Sequence, residues 1–526
     1  MHPLETVLLL LIFVIGLALL ARRLNLVFPI LLTVGGLIIG FIPGLPNVTL
    51  DSSVVLLVFL PPILYSAAWY TNWGNFLRNL EPILVLALGL VLATSLGIAY
   101  VAHTFIPGFT LATGLLLGAI VSPSDAVAAT AIMKTLAVPR RLVAILEGES
   151  LVNDATALVI FQLALATMST GSFSLTDSLL DFIRLAGGGI GVGLAIGYSS
   201  FWMHKYGNLE PALETVLTFV TAYSAYIAAE HLHFSGVLSV VAAGLLLGHK
   251  QSRVHSPTTR MQAIAVWDFV IVLLNGLIFI LIGLQLPHVA ASINGQSLEQ
   301  LVWFGLLISL TAVAIRFLGI FLADTVSTQV RKMFHRPPVF PSYKHTTLLA
   351  YISMRGIVSL AAALSIPERL PNGLPCPGRN LILFITFCVI LFTLVGQGSL
   401  LPVVIRALQF GQQPTDFLSR REVWQRLSRR ALAGVHRVVD KEGLTGDTVQ
   451  GIIDRHQERV DELDRGNPEK TECQHQLSRK LTLSSIQAQR AELLTLRDSQ
   501  LVDVELFHEL ENELDREEIQ LQNVDV

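Results

Sequence analysis

Residues 146–155 read Leu146-Glu147-Gly148-Glu149-Ser150-Leu151-Val152-Asn153-Asp154-Ala155. They lie inside an otherwise apolar segment, about residues 142–168, that is long enough to cross a bilayer as a helix. An ionisable residue at membrane depth costs about 2.5–3.5 kcal/mol on insertion scales, so it indicates a functional site. At about 100° per residue, Glu149, Ser150, Asn153 and Asp154 fall within roughly 140° of one helix face. One membrane helix therefore presents two carboxylates, a hydroxyl and an amide on one side.

The alternative for this polar stripe is a buried hydrogen-bond cluster that only holds helices together. One or two polar side chains, such as serine or asparagine, are enough for that purpose. Two carboxylates close together would be a costly means to the same end, because each must be kept away from water. We therefore favour a functional site.

Composition divides the chain into a membrane part and a tail. Of the 526 residues, 52% are apolar and 14% are charged, whereas soluble proteins carry about 25% charged residues. Charged residues are sparse up to about Phe410 and dense after it. We therefore predict an all-α polytopic membrane domain at residues 1–410 and a helical cytoplasmic tail at residues 411–526.

Several partner and cofactor classes find no support in the sequence. The net charge of -3 and the absence of a nucleic-acid motif give no reason to expect nucleic acid as a partner. Cys376, Cys388 and Cys473 lack metal-ligand spacing and predict no disulfide framework. The N-terminus has no basic region followed by a cleavage site, so we take it as the start of the first membrane span rather than a signal peptide.

Apolar runs of spanning length indicate about thirteen transmembrane helices, of which the second, third and ninth are short. The runs lie near residues 4–20, 26–42, 54–69, 82–105, 109–133, 142–168, 183–203, 209–230, 234–248, 264–286, 300–324, 345–366 and 380–405. Lysine and arginine concentrate in alternate connections, which the positive-inside rule assigns to the cytoplasm. This assignment predicts a multi-pass protein of the cell membrane with its N-terminus outside and its tail inside.

Two of the predicted helices contain residues that interrupt a helix. About thirteen helices permit two halves of six helices in opposite orientation, an arrangement found in many secondary transporters. The fifth run contains Val121-Ser122-Pro123-Ser124-Asp125-Ala126, and the twelfth contains Ser353-Met354-Arg355-Gly356-Ile357. Proline removes a backbone hydrogen bond and glycine tolerates unusual dihedral angles. We expect both helices to break at mid-membrane, where the freed backbone groups need protein or a wet cavity beside them.

The tail shows a basic cluster followed by helical periodicity. The cluster consists of Arg420, Arg421, Arg426, Arg429, Arg430 and Arg437. It fits positive-inside anchoring and contact with anionic membrane lipid. Further on, the segments 449–463 and 502–521 have apolar residues at helical spacing among charges, which predicts a small bundle of amphipathic helices. A regulatory module is the alternative, and no motif identifies a partner for it.

A set of ordered motifs resembles a known family. The motifs are Leu60-Pro61-Pro62-Ile63-Leu64, residues 122–126, the run of residues 149–154, Ile315-Arg316-Phe317-Leu318-Gly319 and Met354-Arg355-Gly356. In that order and spacing they resemble the sodium/proton exchangers of the monovalent cation:proton antiporter family, especially the NhaP-like and bacterial branches. The resemblance covers residues 1–410 and not the tail.

The resemblance implies a fold, an activity and an assembly. The implied fold has thirteen helices, and its fifth and twelfth helices are unwound and cross near the ion site. A core domain moves against a dimerisation domain, so a homodimer is expected. The implied activity is exchange of Na+, K+ or Li+ for H+ by alternating access, without a cofactor, in the service of pH and cation homeostasis.

The resemblance also implies roles for five residues at the ion site. Asp154 matches the carboxylate that carries the cation or the proton, and Asn153 matches the amide beside it, where electrogenic relatives have a second aspartate. Ser150 matches a residue of the ion site, so its hydroxyl and the Asp154 carboxylate are the expected oxygen ligands of an alkali cation. Ser124 and Asp125 match the pair at the break of the fifth helix. We expect Asp125 to neutralise a helix dipole, with direct ion contact as the alternative.

Three further residues match structural positions of the family. Glu149 and Arg316 match a buried ion pair, and Arg355 matches an arginine at the break of the twelfth helix. One departure concerns the third helix, where some family members carry an acidic residue after the proline pair. This chain has Tyr65-Ser66-Ala67-Ala68 there, so any role of that carboxylate is in doubt.

A count of the core charges predicts the stoichiometry. Three carboxylates and two arginines among these positions leave one negative charge, which one monovalent cation or one proton neutralises. An uncompensated charge is expensive in a low-dielectric setting, so an empty ionised core should move reluctantly. Since Asn153 replaces a second acid, we expect one proton per cation and no net movement of charge.

Other interpretations remain open at this point. A cation channel would need a continuous pore and a filter, and no repeated filter loop is visible. A membrane-bound sensor or scaffold would place the activity in the tail. The spans contain no nucleophile–base pair, so we do not expect an enzyme. Two interpretations are open for four histidines, which are either ordinary surface residues or pH sensors: His231, His233, His249 and His255. Asn275 either forms a hydrogen bond between helices or is an ion ligand.

Overall fold

Helices make up most of the part of the chain that the structure describes. The computed structural model describes residues 3–24, 28–41, 55–126, 129–130, 133, 138–170, 175–254, 257–291, 293, 297–333, 342–370, 373–410, 420–443 and 445–465, and, between 482 and 517, residues 482, 484–489, 491–493, 510, 514 and 517. Among these residues the only β-type pairing is an isolated bridge between Arg369 and Pro375. The predicted all-α class is confirmed for the described residues.

The first 410 residues contain the helices α1 to α15. They are α1 (Pro3–Leu24), α2 (Phe28–Gly40), α3 (Leu60–Tyr70), α4 (Trp73–Arg78), α5 (Leu80–Phe105), α6 (Leu111–Val121), α7 (Arg140–Thr170), α8 (Leu175–Tyr206), α9 (Pro211–His231), α10 (Gly236–Val254), α11 (Pro257–Ala291), α12 (Leu298–Met333), α13 (Tyr343–Tyr351), α14 (Ile357–Leu364) and α15 (Arg379–Leu408). A π-helical turn, Val55–Phe59, precedes α3, and similar turns interrupt α5 at Val85–Leu90 and α15 at Phe392–Gln397.

The long apolar helices make the chain a multi-pass membrane protein. Within the described residues, seven helices have the length and composition needed to cross a membrane, namely α5, α7, α8, α9, α11, α12 and α15. Shorter apolar helices lie in α1, α2, α3 and α6. The count of about thirteen spans and the relation between two halves stay predictions.

Polar side chains fix the start of several helices. The Thr110 hydroxyl accepts a hydrogen bond from Thr113 N at 3.2 Å at the start of α6. Ser342 caps α13 by accepting from Lys344 N at 3.4 Å. Such caps satisfy backbone N–H groups that have no partner within the helix. The two caps thereby stabilise the first turns of α6 and α13.

Two groups of helices pack around α11. The core group contains α5, α6, α7, α12, α13, α14 and α15, and the flanking group contains α3, α8, α9 and α10. Helix α11 contacts members of both groups, and α1 and α2 pack against α11. Leu151 and Ala155 of α7 belong to the buried apolar cluster of the flanking group. The polar stripe of α7 therefore lies where the two groups meet.

Contacts between Cα atoms divide the chain into two compact units, Met1–Gln412 and Gln413–Val526. The second unit contains α16 (Arg420–Glu442) and α17 (Asp447–Arg465), which pack against each other. Helix α17 includes the first predicted amphipathic segment, 449–463. Nearly all of the second segment, 502–521, lies outside the described residues, as do His255 and Cys473.

Candidate functional site

Two interrupted helices meet beside α7. Helix α6 ends at Val121, residues 123–126 are non-helical, and Ala129 and Thr130 are helical. Helix α13 ends at Tyr351, and α14 begins only after residues 352–356. A backbone hydrogen bond from Asp125 N to Met354 O, at 2.8 Å, joins the two breaks. Both predicted breaks are present, and they lie against each other.

The backbone groups freed by the breaks find partners nearby. Pro123 cannot donate to the carbonyl of Ala119, and the Ser122 hydroxyl donates to that carbonyl instead, at 3.1 Å. Arg355 Nε donates to Val121 O at 2.8 Å. The backbone N of Arg355 donates to the Thr393 hydroxyl at 3.1 Å. Because these groups are buried, leaving them unpaired would cost about 1–3 kcal/mol each.

Each break carries a charge that lies at the end of the other helix. The Arg355 guanidinium lies at the C-terminal end of α6, and it also bonds to the carbonyl and hydroxyl of Ser353. The Asp125 carboxylate lies against Gly356, the residue that caps the N-terminus of α14, where a Cβ would overlap with it. A cation at a helix C-terminus and an anion at an N-terminus are both favourable.

Glu149 and Arg316 form a buried ion pair between α7 and α12. Arg316 donates from Nη1 to Glu149 Oε1 at 2.5 Å and from Nη2 to Glu149 Oε2 at 3.0 Å. The two residues are 1% and 2% exposed. The Ser124 hydroxyl donates to Glu149 Oε1 at 3.0 Å, and Arg316 Nε donates to Leu349 O at 3.3 Å. Both charges therefore have several partners.

Asn153 and Ser150 connect the stripe on α7 to the break that follows α6. Asn153 Nδ2 donates to the carbonyl and to the hydroxyl of Ser124, both at 3.1 Å. Ala126 N donates to the Ser150 hydroxyl at 3.3 Å. We call Ser124, Glu149, Asn153 and Arg316 the bonded cluster, since hydrogen bonds link all four side chains.

Asp154 differs from the bonded cluster although it lies on the same helix. Its side chain is 6% exposed, and no hydrogen bond to its carboxylate is found in the part of the chain that the structure describes. The neighbouring amide oxygen, Asn153 Oδ1, is also buried without a hydrogen-bond partner among the described residues. The Asp154 carboxylate and the Asn153 amide oxygen, both suited to a hard cation, are thus buried side by side in the sequence without a described hydrogen-bond partner.

Two cavities reach α7 from its opposite ends. The first, of about 410 Å³, lies between α7 residues 140–147 and the segment 70–76, and Glu147 lines it. The second, of about 270 Å³, lies between α7 residues 159–166 and α8 residues 181–185. Asp154 lies between them along the helix, beside the apolar residues Leu151 and Ala155. Asp154 is not among the described residues that line either cavity.

The structure places every predicted site residue around these two breaks. It also shows contacts that the sequence did not reveal, namely the carbonyls of Leu349 and Met354 and the hydroxyl of Thr393. The sequence does indicate the bond from the Ser122 hydroxyl to Ala119 O. Pro123 has no N–H to donate to that carbonyl, and the hydroxyl of the preceding serine can donate in its place. In α3, Ser66 donates to Ile63 O at 3.0 Å within its own helix.

Residues 8–407 match a family model described as sodium/hydrogen exchanger, transmembrane. The chain belongs to the sodium/hydrogen exchanger family. An uncharacterized Na+/H+ exchanger of Mycobacterium tuberculosis is 32% identical over 505 residues, which are 94% of this chain and 91% of that relative. The sodium, potassium, lithium and rubidium/H+ antiporter of Bacillus pumilus is 29% identical over 501 residues, 90% of this chain and 72% of that relative.

A solved structure supports the same fold. The sodium proton antiporter MjNhaP1 from Methanocaldococcus jannaschii matches with a TM-score of 0.63 at 22% identity, over 77% of this chain and 98% of that chain. The predicted family is confirmed, and the exchanger is a secondary transporter of monovalent cations and protons. The channel and scaffold interpretations are therefore not retained, and the family is one of transporters.

Proposed function

We propose that this exchanger carries one monovalent cation or one proton in turn on a single carboxylate, Asp154. The observation that carries the proposal is the contrast on α7, where Glu149 is fully hydrogen-bonded and Asp154 has no described hydrogen bond. A carboxylate that already holds an arginine has little to offer a cation. A buried carboxylate without such a partner gains most from a cation or a proton.

The charges around the breaks support a one-to-one exchange. Asp125, Glu149 and Asp154 contribute three negative charges when ionised, and Arg316 and Arg355 contribute two positive charges. The remaining negative charge is neutralised by one monovalent cation or by one proton. The core therefore has the same net charge when it moves with a bound cation and when it returns with a bound proton. This equality predicts electroneutral exchange.

Ser150, Asn153, Ser124 and Asp125 have supporting roles in this proposal. Ser150 and backbone carbonyls at the breaks supply further oxygens to the cation with water, as suits a hard ion. Asn153 holds Ser124 in place through its amide N–H groups. Asp125 and Arg355 stabilise the broken helix ends, and the Glu149–Arg316 pair fixes α7 to α12.

Alternating access fits the two helix groups and the two cavities. Movement of the core group against the flanking group would open Asp154 to one cavity and close it to the other. The apolar contacts of Leu151 and Ala155 can slide without breaking a polar network. The same proposal includes about thirteen membrane spans, which form two inverted repeats of six helices each. It also includes a homodimer surrounded by membrane lipid.

The cation and the topology complete the proposal. The transported ion is Na+, K+ or Li+, and its exchange for protons contributes to pH and cation homeostasis. Residues 1–410 carry exchange, and residues 411–526 form a cytoplasmic tail in a cell-membrane protein whose N-terminus is outside. A protein truncated after Phe410 should still exchange ions, and a reporter fused after Val526 should report the cytoplasm.

Exchange assays in proteoliposomes test the proposal. If protons and cations compete for Asp154, the half-saturating cation concentration should rise about tenfold per pH unit on the acidic side of the titration. Clamping the membrane voltage at zero should leave the rate unchanged for one-to-one exchange. A cation affinity that does not depend on pH would contradict competition, and a rate that follows the imposed voltage would contradict the stoichiometry.

A further inference from the structure

The second break, residues 352–356, is bonded to a π-helical turn of α15. This turn spans Phe392–Gln397 and interrupts an otherwise α-helical membrane span. Met354 and Arg355 of the break and Thr393 of the turn are all fully buried. Because π-helical turns are rare and occur frequently at functional sites, the place of this one beside the break indicates a role in the site.

Two hydrogen bonds join the ends of the break to the ends of this turn. Before the break, the Tyr351 hydroxyl donates to Gln397 O at 3.1 Å. At the far side of the break, the backbone N of Arg355 donates to the Thr393 hydroxyl at 3.1 Å. We call Tyr351, Thr393 and Gln397 the π-turn clamp, since they hold the break on both sides.

The Thr393 hydroxyl has a partner on each side of this contact. It donates to Val389 O at 2.8 Å, one turn earlier in α15, and accepts from Arg355 N. A valine has nearly the same shape and would lose both bonds, whereas a serine would keep them. Thr386 is an equally buried threonine of α15, and its hydroxyl has one partner among the described residues, Ile382 O at 2.8 Å. It therefore serves as a matched comparison.

The break connects the π-turn clamp to the ion site. Met354 O accepts a hydrogen bond from Asp125 N at 2.8 Å, across the crossing of the two breaks. The Asp125 and Asp154 carboxylates are close enough for their charges to interact. Thr393 is thus linked to the site through the backbone of residues 354–355, and a change at Thr393 acts on the position of that backbone.

We propose that the π-turn clamp positions the backbone oxygens of the second break for the transported cation, and that Thr393 is its main positioning residue. The proposal rests on the proposed function, in which carbonyls at the breaks supply oxygens to the cation at Asp154. A hard cation needs several oxygens at set distances, whereas a proton needs only the carboxylate. A loosened break should therefore weaken cation binding and leave proton binding unchanged.

Exchange in proteoliposomes over a range of pH values tests the proposal. Thr393→Val should raise the half-saturating Na+ concentration about tenfold and leave the maximal rate within about twofold. The pH at which this concentration begins to rise on acidification should match wild type. Thr393→Ser should restore the wild-type half-saturating concentration. Tyr351→Phe, which loses the other bond of the π-turn clamp, should raise it about threefold.

Thr386→Val controls for the general effect of removing a buried hydroxyl from α15. It should keep the wild-type half-saturating Na+ concentration, and elution profiles and thermal midpoints establish that each variant is folded. A folded Thr393→Val with unchanged half-saturation, whatever its maximal rate, overturns the proposal. An equal rise in Thr386→Val does so as well. If Thr393→Val does not fold, Tyr351→Phe decides by the same measurements.

Failure of this proposal is distinct from failure of the function proposed for Asp154. If Thr393→Val and Tyr351→Phe bind cation as wild type does while Asp154→Asn transports nothing, only the role of the π-turn clamp is wrong. If Asp154→Asn still exchanges ions, the carboxylate has been misassigned. A raised half-saturating concentration in Thr393→Val would then show that the π-turn clamp positions a cation site built on another carboxylate.

Discussion

The bonded cluster and Asp154 are two regions of one helix with opposite surroundings. Glu149 is held by both terminal nitrogens of Arg316 and by the Ser124 hydroxyl. Asp154, five residues further along α7, is nearly as buried but has no described hydrogen bond. The difference separates a carboxylate that is part of the framework from one that is available to an ion.

Physical chemistry explains why both types are needed. Burying two charges is tolerated when each has a good partner, and removing one partner costs far more than the pair contributes. A carboxylate that carries ions must instead remain without a permanent partner, so that a cation or a proton can bind to it and neutralise its charge. Under the proposed function, the bonded cluster fixes the break after α6 against α7, the helix that carries Asp154.

The largest loss of stability should follow from breaking the Glu149–Arg316 pair. Glu149→Ala leaves the Arg316 charge buried and should lower the free energy of unfolding by about 3–5 kcal/mol. The thermal midpoint and the yield of monodisperse protein would both fall. The double variant with Arg316→Ala should recover part of the loss. Single variants that melt like wild type would show that the pair does not stabilise the core.

Gly356 should be the next most sensitive position. A Cβ at this residue would overlap with the Asp125 carboxylate, so Gly356→Ala should displace that carboxylate from the N-terminus of α14. We expect a loss of about 1–3 kcal/mol in stability together with reduced exchange. Gly16→Ala is the matched control, because its Cβ would meet no atom within 4 Å. Equal behaviour of the two variants would refute the close contact.

Ser124 should have a smaller effect that is still specific to the bonded cluster. Its hydroxyl donates to Glu149 and accepts from Arg316 at 3.2 Å and from Asn153 at 3.1 Å. Ser124→Ala should lower stability by about 1–2 kcal/mol. Ser309→Ala is the comparison, since among the described residues that buried hydroxyl has one partner, Gly305 O in its own helix, at 2.7 Å. Melting curves that coincide would argue against a linked cluster.

The smallest effect should come from the exposed pair Glu81–Arg331. Their side chains are 57% and 21% exposed, so solvent screens the attraction and the pair should contribute at most about 1 kcal/mol. Glu81→Gln should shift the thermal midpoint little, and the shift should vanish at high salt. A loss as large as that of Glu149→Ala would mean that burial does not distinguish the two pairs.

Local features of the site could be predicted from the sequence. Helical spacing placed Glu149, Ser150, Asn153 and Asp154 within roughly 140° on one side of α7, because side chains three or four residues apart share a face. Proline at residue 123 and glycine at residue 356 marked the two breaks, since each interferes with regular helical hydrogen bonding. The pairing of Glu149 with Arg316 came from the family resemblance rather than from spacing.

Contacts between distant parts of the chain could not be predicted in this way. Arg355 bonds a carbonyl 234 residues away, and Asp125 N bonds Met354 O across the crossing of the two breaks. Such partners depend on how the helices cross, which periodicity does not encode. The cavity that Glu147 lines likewise depends on where the segment 70–76 lies against α7.

The most direct test of the central claim is cation-driven proton flux in proteoliposomes that contain well-folded Asp154→Asn. The substitution keeps the size of the side chain and removes the charge, so elution profile and thermal midpoint should match wild type. Asp154→Glu restores the charge and should retain part of the activity with altered affinity. We predict that flux through Asp154→Asn equals that of protein-free liposomes. Robust flux from this variant would contradict the assignment of Asp154 as the carrier of both ions.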